Sequence, residues 1–211
     1  MIGLSFLGIL KMANESQINA KELGEFLIEA KRATWASGRK AMKLDDGGKR
    51  FIFAKGLHSY RDIYHEDDPN PFIGEEIVYK IDNGKNIPIW GMNYHGWLTE
   101  EGKNYPDQKG LVNFLREALI ANENIEKPFR GPREYPNINN ERTNITKGLI
   151  YFNEDMDLDG FCRNNGNIFG FQGTEEIILG TTKPHPFIDI ESSTLEKHET
   201  LYRLKYHGGV I

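Results

Sequence analysis

The sequence predicts an α+β fold: an antiparallel sheet built from two quasi-repeated strand units, with a helix preceding each half. Three observations lead there. Two stretches carry apolar residues at the three-and-four spacing of a helical face, the remainder alternates with period two between Gly, Asn, Asp and Pro, and a pair of short blocks occurs twice in the same order.

The first helix is predicted over Asn19 to Trp35, where Leu23, Phe26, Leu27, Ala30 and Ala33 form the stripe. Asn19 caps its start and Gly38 lies beyond its end. The second runs from Gln108 to Ala121 on Leu111, Val112, Leu115, Leu119 and Ile120. Strands are predicted near Gly56 to Tyr64, Phe72 to Ile81, Ile87 to Trp97, Lys147 to Phe152, Asn167 to Leu179 and Leu201 to Ile211. Residues 1–21 are an extension ahead of a single domain at 22–211, whose halves at about 22–122 and 145–211 are joined by a loop at 123–144 rich in Asn, Pro and charge.

Phe72-Ile-Gly74-Glu-Glu76-Ile-Val78 aligns without a gap on Phe171-Gln-Gly173-Thr-Glu175-Glu-Ile177. Trp90-Gly-Met92-Asn-Tyr94-His95-Gly96 aligns on Tyr202-Arg-Leu204-Lys-Tyr206-His207-Gly208. The second copy carries 13 more residues between its blocks, placed in Thr181 to Thr200. On a strand, residues two apart share a face, so Phe72, Gly74, Glu76 and Val78 point one way, as do Phe171, Gly173, Glu175 and Ile177. A glutamate on such a face is either at a solvated edge or is paired, hydrogen-bonded or open to a pocket, because burying it alone is costly.

Composition excludes several classes. The 211 residues are 38% hydrophobic and 27% charged, the pattern of a globular chain. The net charge of −5 speaks against a broad duplex-DNA footprint. One cysteine, Cys162, rules out an intrachain disulfide and fits a reducing, cytoplasmic setting. The apolar run Met1 to Leu10 is too short to span a bilayer and lacks the flanks of a signal peptide.

Ala30-Lys-Arg-Ala-Thr-Trp35-Ala, Tyr60-Arg61-Asp62-Ile-Tyr64, Phe72-Ile-Gly74-Glu-Glu76, Pro88-Ile-Trp90-Gly-Met92-Asn93-Tyr94-His-Gly96, Phe129-Arg130-Gly131-Pro132-Arg133 and Tyr206-His207-Gly208-Gly209 are specific as a set. Together they resemble the bacterial domain of unknown function 5680, over about Glu22 to the C-terminus. The resemblance implies a fold relationship and no activity. Some members of that family resemble regulators with an attached helix-turn-helix domain; the 21 residues ahead of the resemblance here are too few for one.

Arg130-Gly-Pro-Arg133 is the leading candidate for an anion clamp, since guanidinium forks match phosphate and carboxylate geometry. The alternative is that one arginine pairs with Glu76 or Glu175 and closes the loop onto the sheet. Tyr60, Asp62 and Tyr64 share one strand face, suited either to a base or sugar ring or to cross-strand packing, with Arg61 on the other face. Tyr94 and Tyr206 complete the ligand-binding candidates.

No nucleophile motif, P-loop or Rossmann fingerprint occurs. The catalytic candidates, should the protein be an enzyme, are His95 or His207 as acid–base with Glu76 or Glu175 as partner. Asp155-Met-Asp157-Leu-Asp159-Gly160 matches the first half of a calcium loop, but Gly166 stands where the closing Glu belongs, so an acidic turn is favoured and no metal is expected. His65-Glu66-Asp67-Asp68 reads as a polar turn, and Cys162 as a small buried residue.

The function these residues favour is binding, without turnover, of a small anionic molecule, nucleotide-derived ligands included, for sensing or sequestration in a phage or bacterial setting. A hydrolase or transferase on a similar ligand and an interaction domain of a transcriptional regulator are the alternatives. No cofactor, no specific nucleic acid and no membrane are expected as partners. The apolar terminus Leu201 to Ile211 suits a sheet or homodimer contact.

Overall fold

The computed structural model describes residues 19–66, 71–135, 148–156, 168–180 and 199–211. Helix α1 (Ala20–Ala33) starts where the Asn19 side chain accepts hydrogen bonds from the backbone N–H groups of Lys21 and Glu22, at 3.2 and 3.3 Å. A short 3₁₀ turn (Trp35–Ser37) ends on Gly38 in the left-handed conformation, φ +74°. Five strands follow: β1 (Met42–Lys43), β2 (Lys49–Lys55), β3 (His58–Glu66), β4 (Phe72–Asp82) and β5 (Lys85–Leu98). Helices α2 (Glu100–Lys103) and α3 (Gln108–Ile120) come next, then β6 (Glu134–Tyr135), β7 (Gly148–Met156), β8 (Gly170–Gly180) and β9 (Glu199–Val210).

The strands form one antiparallel sheet in the order β1-β2-β3-β4-β5-β9-β8-β7-β6. The expected α+β class with a helix heading each half is thereby corrected. The sheet is the body of the protein, and the two longer helices lie together over its buried face. Arg32 of α1 ties them, its guanidinium donating to the carbonyl oxygens of Ile120 at 2.9 Å and Asn122 at 3.0 Å, groups that the end of α3 leaves unpaired. Leu23, Phe26, Leu27 and Ala30 of α1 and Leu111, Leu115 and Ala118 of α3 join the sheet's inner residues in one core.

β2 was not foreseen, because its charged ends and exposed Ile52 hide the alternation, although the two-residue turn Gly56-Leu57 behind it is a hairpin signal. The turn Asn83-Gly84 between β4 and β5 has φ +48° and +74°, the conformation that selects Asn-Gly. β9 lies in the middle of the sheet, paired with β5 and β8, so the C-terminal segment is an internal ladder and not a free edge.

The two strand triplets carry the same register. Asp62, Glu76 and Met92 lie abreast in β3-β4-β5, as Asn153, Glu175 and Leu204 do in β7-β8-β9. Tyr60, Val78 and Trp90 match Tyr151, Ile177 and Tyr202 in the same way, and a register shift follows Val78 in one triplet and Ile177 in the other. Gly74 faces Tyr94, Gly173 faces Tyr206, and Tyr94 faces Tyr206 where the triplets join.

The glycines are needed because the tyrosine rings lie across them. A Cβ on Gly74 would sit 2.8 Å from the Ile63 carbonyl oxygen and nearer still to the Tyr94 ring, and one on Gly173 would be 2.5 Å from the Glu154 carbonyl oxygen. Gly74→Ala and Gly173→Ala should each destabilise the fold by about 1–3 kcal/mol, the usual cost of overpacking. Denaturant unfolding checks this, with Gly91→Ala as the control, a strand glycine whose added Cβ would meet nothing nearer than 3.4 Å.

Candidate functional site

The inner face of the sheet is not a plain apolar core. Glu76, Glu175, Asp62 and Asn153 are buried on it, at 4, 0, 5 and 5% exposure. Such groups persist only when every charge and lone pair is met.

Around Glu175 the demand is met by Arg130. Its Nε and Nη2 donate to the two carboxylate oxygens at 2.8 and 2.6 Å, the bidentate fork that suits arginine. Tyr151 and Tyr202 hydroxyls add one hydrogen bond each at 2.8 Å. Burial pushes Glu175 up, but the Arg130 charge and these hydrogen bonds outweigh it and hold the carboxyl below its ordinary value. Burial likewise opposes the charge on Arg130, and Glu175 more than restores it. The same desolvation, reinforced by Glu175, raises Tyr151, Tyr202 and Tyr206 far above ordinary tyrosine, so they remain hydroxyl donors.

Around Glu76 the cation is Lys31, from α1. Its ammonium lies 2.5 Å from the carboxylate and 2.7 Å from the Phe129 carbonyl oxygen. Burial, followed by the Glu76 charge, holds the Tyr60 hydroxyl well above the ordinary tyrosine value. Burial draws Lys31 below its usual value, Glu76 only partly compensating. Arg130 Nη1 stands 3.9 Å from Glu76, so this guanidinium reaches towards both carboxylates. Tyr94 donates to Asp62 at 2.7 Å, and in the other triplet Tyr206 donates to Asn153 at 2.7 Å.

Arg130 is delivered by the segment from Asn122 to Arg133. Phe129 is fully buried and stacks on Phe171 with ring centroids 4.0 Å apart. The Asn122 amide donates to the carbonyl oxygens of Lys127 and Arg130 at 2.9 and 2.6 Å, closing the segment on itself. Gly131 N–H donates to the Tyr151 hydroxyl at 3.1 Å, and the Asn153 amide donates to the Gly131 carbonyl oxygen at 2.9 Å.

Between this segment and β7 lies a cleft of about 360 Å³, its lining including Asn122, Lys127, Gly131, Arg133, Asn153 and Asp155. Lys127 pairs with Asp155 at 2.8 Å. Asn153 belongs to the cleft wall and to the buried network at once. Arg133 is exposed, and among the described residues its guanidinium has no ion pair or hydrogen bond.

Of the residues expected to bind ligand, Tyr60, Asp62, Glu76, Tyr94, Arg130, Glu175 and Tyr206 do come together, but as an internally satisfied cluster. The Arg130–Arg133 clamp is corrected: Arg130 turns inward to Glu175, closing the segment onto the sheet, while Arg133 stays at the cleft. The solvated-edge reading of the glutamates is overturned by their burial. Arg61 lies on the outer face, with Glu75 at 3.1 Å and the Tyr79 ring at 5.3 Å. His95 and His207 are exposed on that outer face too, so neither meets Glu76 or Glu175 and the proposed acid–base pairs do not form. Asp157, Asp159, Cys162, Asp67 and Asp68 lie outside the described residues. Among the described residues no group of three or more His, Cys, Asp or Glu could hold a metal ion, and no helix is long and apolar enough to cross a membrane.

Sequence reasoning missed Lys31, Tyr151, Asn153 and Tyr202. Lys31 follows Leu27 by four residues and so stands on the apolar stripe of α1, a position where a lysine needs a buried partner. Tyr60-x-Asp62 and Tyr151-x-Asn153 share a spacing that would have extended the alignment by a strand.

Breaking the Arg130–Glu175 pair should be costly. Arg130→Met or Glu175→Leu alone leaves a buried charge unpaired and should lose about 3–5 kcal/mol. Arg130→Met combined with Glu175→Gln should recover part of the Arg130→Met loss. Urea unfolding of the single and double variants measures both effects.

No curated protein matches the sequence, and no solved structure matches it. The family match covers a shorter stretch than the motifs suggested, running from β3 to β7. Over residues 62–154 the chain matches the family described as Domain of unknown function (DUF5680), so the resemblance holds across the strands that carry Asp62, Glu76 and Tyr94 and the segment that carries Arg130.

Proposed function

We propose that the protein binds a small anionic molecule in the cleft between residues 122–133 and β7, without turning it over. The observation that carries this reading is Arg133: an exposed guanidinium beside a polar cleft, with none of its donors committed among the described residues. A planar fork of this kind takes a phosphate or carboxylate bidentately. The Lys127–Asp155 pair supplies a second donor and an acceptor for hydroxyl or amine groups on the same ligand.

The cluster around Arg130 contributes rigidity. It fixes Phe129 and Gly131, and with them the cleft wall, before any ligand arrives, which lowers the ordering cost of binding. The nucleotide-derived ligands expected from the strand tyrosines have weaker support than anions in general, since no aromatic side chain is among the described residues lining the cleft. Binding without turnover is favoured because the acidic and basic groups beneath the cleft are committed to one another.

Calorimetry against inorganic phosphate, a mononucleotide, a sugar phosphate and a dicarboxylate tests the proposal. Binding of at least one is expected, with affinity reduced about 10–100-fold by Arg133→Glu through loss of a charge-assisted contact. Recovery of the ligand unchanged by chromatography is expected. No binding across the panel, or equal affinity in Arg133→Glu, overturns the reading, and a consumed ligand favours an enzyme.

A further inference from the structure

The two triplets differ at one chemically decisive place. Beside Glu175 the strand neighbour is Asn153, and beside Glu76 it is Asp62. Both neighbours are buried, both accept a hydrogen bond from a tyrosine at 2.7 Å, and both face a carboxylate across the strand pair. Asn153 is neutral. An ionised Asp62 would put a second negative charge next to Glu76, out of reach of water.

The groups facing Asp62 do not supply a cation for it. Glu76 faces it from β4 and Tyr94 from β5, Tyr60 and Tyr64 flank it on β3, its β2 neighbour is Phe51, and the α3 cation Arg116 acts on Tyr64 and lies over the Trp35 ring. Lys31 from α1 is bound to Glu76 and the Phe129 carbonyl oxygen, and Arg130 is committed to Glu175. Lys31 and Arg130 balance Glu76 and Glu175, so the cluster is neutral only when Asp62 holds a proton.

We infer that Asp62 carries a proton in the native protein, acting as the neutral counterpart of Asn153, and that loss of this proton at rising pH weakens the network that holds residues 122–133 on the sheet. The charge argument agrees with the titration expected at that position. Burial, followed by the Glu76 charge, pushes Asp62 up to about 7, against the opposing pull of Tyr94, Lys31 and Arg130. A carboxyl raised on folding contributes stability that is fully present below its unfolded value near ~4 and is lost as pH climbs to about 7. The inference concerns the buried cluster alone and does not depend on what the cleft binds.

Thermal unfolding of the full chain from pH 5 to 8.5 tests it, comparing wild type with Asp62→Asn. The wild-type midpoint should fall with rising pH relative to the variant by roughly 5–10 °C. Asn153→Asp should acquire the same downward slope in the other triplet. Parallel curves for wild type and Asp62→Asn overturn the inference. So does an Asp62→Asn protein that fails to fold, since a neutral amide is what the site is argued to accept. Carbon-13 NMR gives an independent reading on wild type: a buried aspartate carboxyl titrating near neutrality supports the assignment, and titration of every aspartate in the ordinary acidic range refutes it.

Discussion

The bidentate pairing of Arg130 with Glu175 is the interaction on which the rest of the structure depends. A carboxylate with no exposed surface in the middle of a sheet face cannot borrow water, so its partner has to be brought to it. The partner comes from a connecting segment, and bringing it inward determines where the whole segment lies. Phe129 is carried into the core beside Phe171, Gly131 is pressed against the Tyr151 hydroxyl, and Arg133 is left at the surface. The cleft is a by-product of that arrangement.

The quasi-equivalent triplets use the same carboxylate in two ways. Glu175 meets a delocalised guanidinium and two tyrosine hydroxyls, which give each of its oxygens two hydrogen bonds. Glu76 meets a lysine from α1, and the place of Tyr202 is taken by Trp90, whose buried indole N–H has no hydrogen-bond partner among the described residues. The Glu76 side is therefore the less completely satisfied of the two, and it is also where Asn153 is replaced by an acid. A sheet with two similar halves has ended with one side built for charge neutrality and the other balanced on a proton.

Much of the fold was legible because its signals are local. Alternation identified six strands to within a few residues, and helical spacing placed α1 and α3. The glycines opposite Tyr94 and Tyr206 stood out because they recur with their neighbours. What escaped was short or charged: β1 and β6 have two residues each, and β2 is bounded by lysines. The class itself was misjudged because two clear helical stripes suggested one helix for each half, and a stripe says that a helix is covered without saying by what. Here α1 and α3 are tied to each other by Arg32 as well as to the sheet.

By itself, the sequence determined which residues share a face, since a strand's period of two leaves no choice once the strand is placed. That rule put Tyr60, Asp62 and Tyr64 on one side, Glu76 and Glu175 on the same side as their phenylalanines, and His95 opposite Tyr94 in orientation. Only the tertiary structure decided what those faces meet. The choice of Arg130 over Arg133 for Glu175 and the arrival of Lys31 from α1 at Glu76 depend on contacts between residues 45 positions apart. The physical reason is that periodicity is written in the backbone of a single strand, whereas the neutralisation of a buried charge belongs to whichever distant side chain the packing brings within hydrogen-bonding reach.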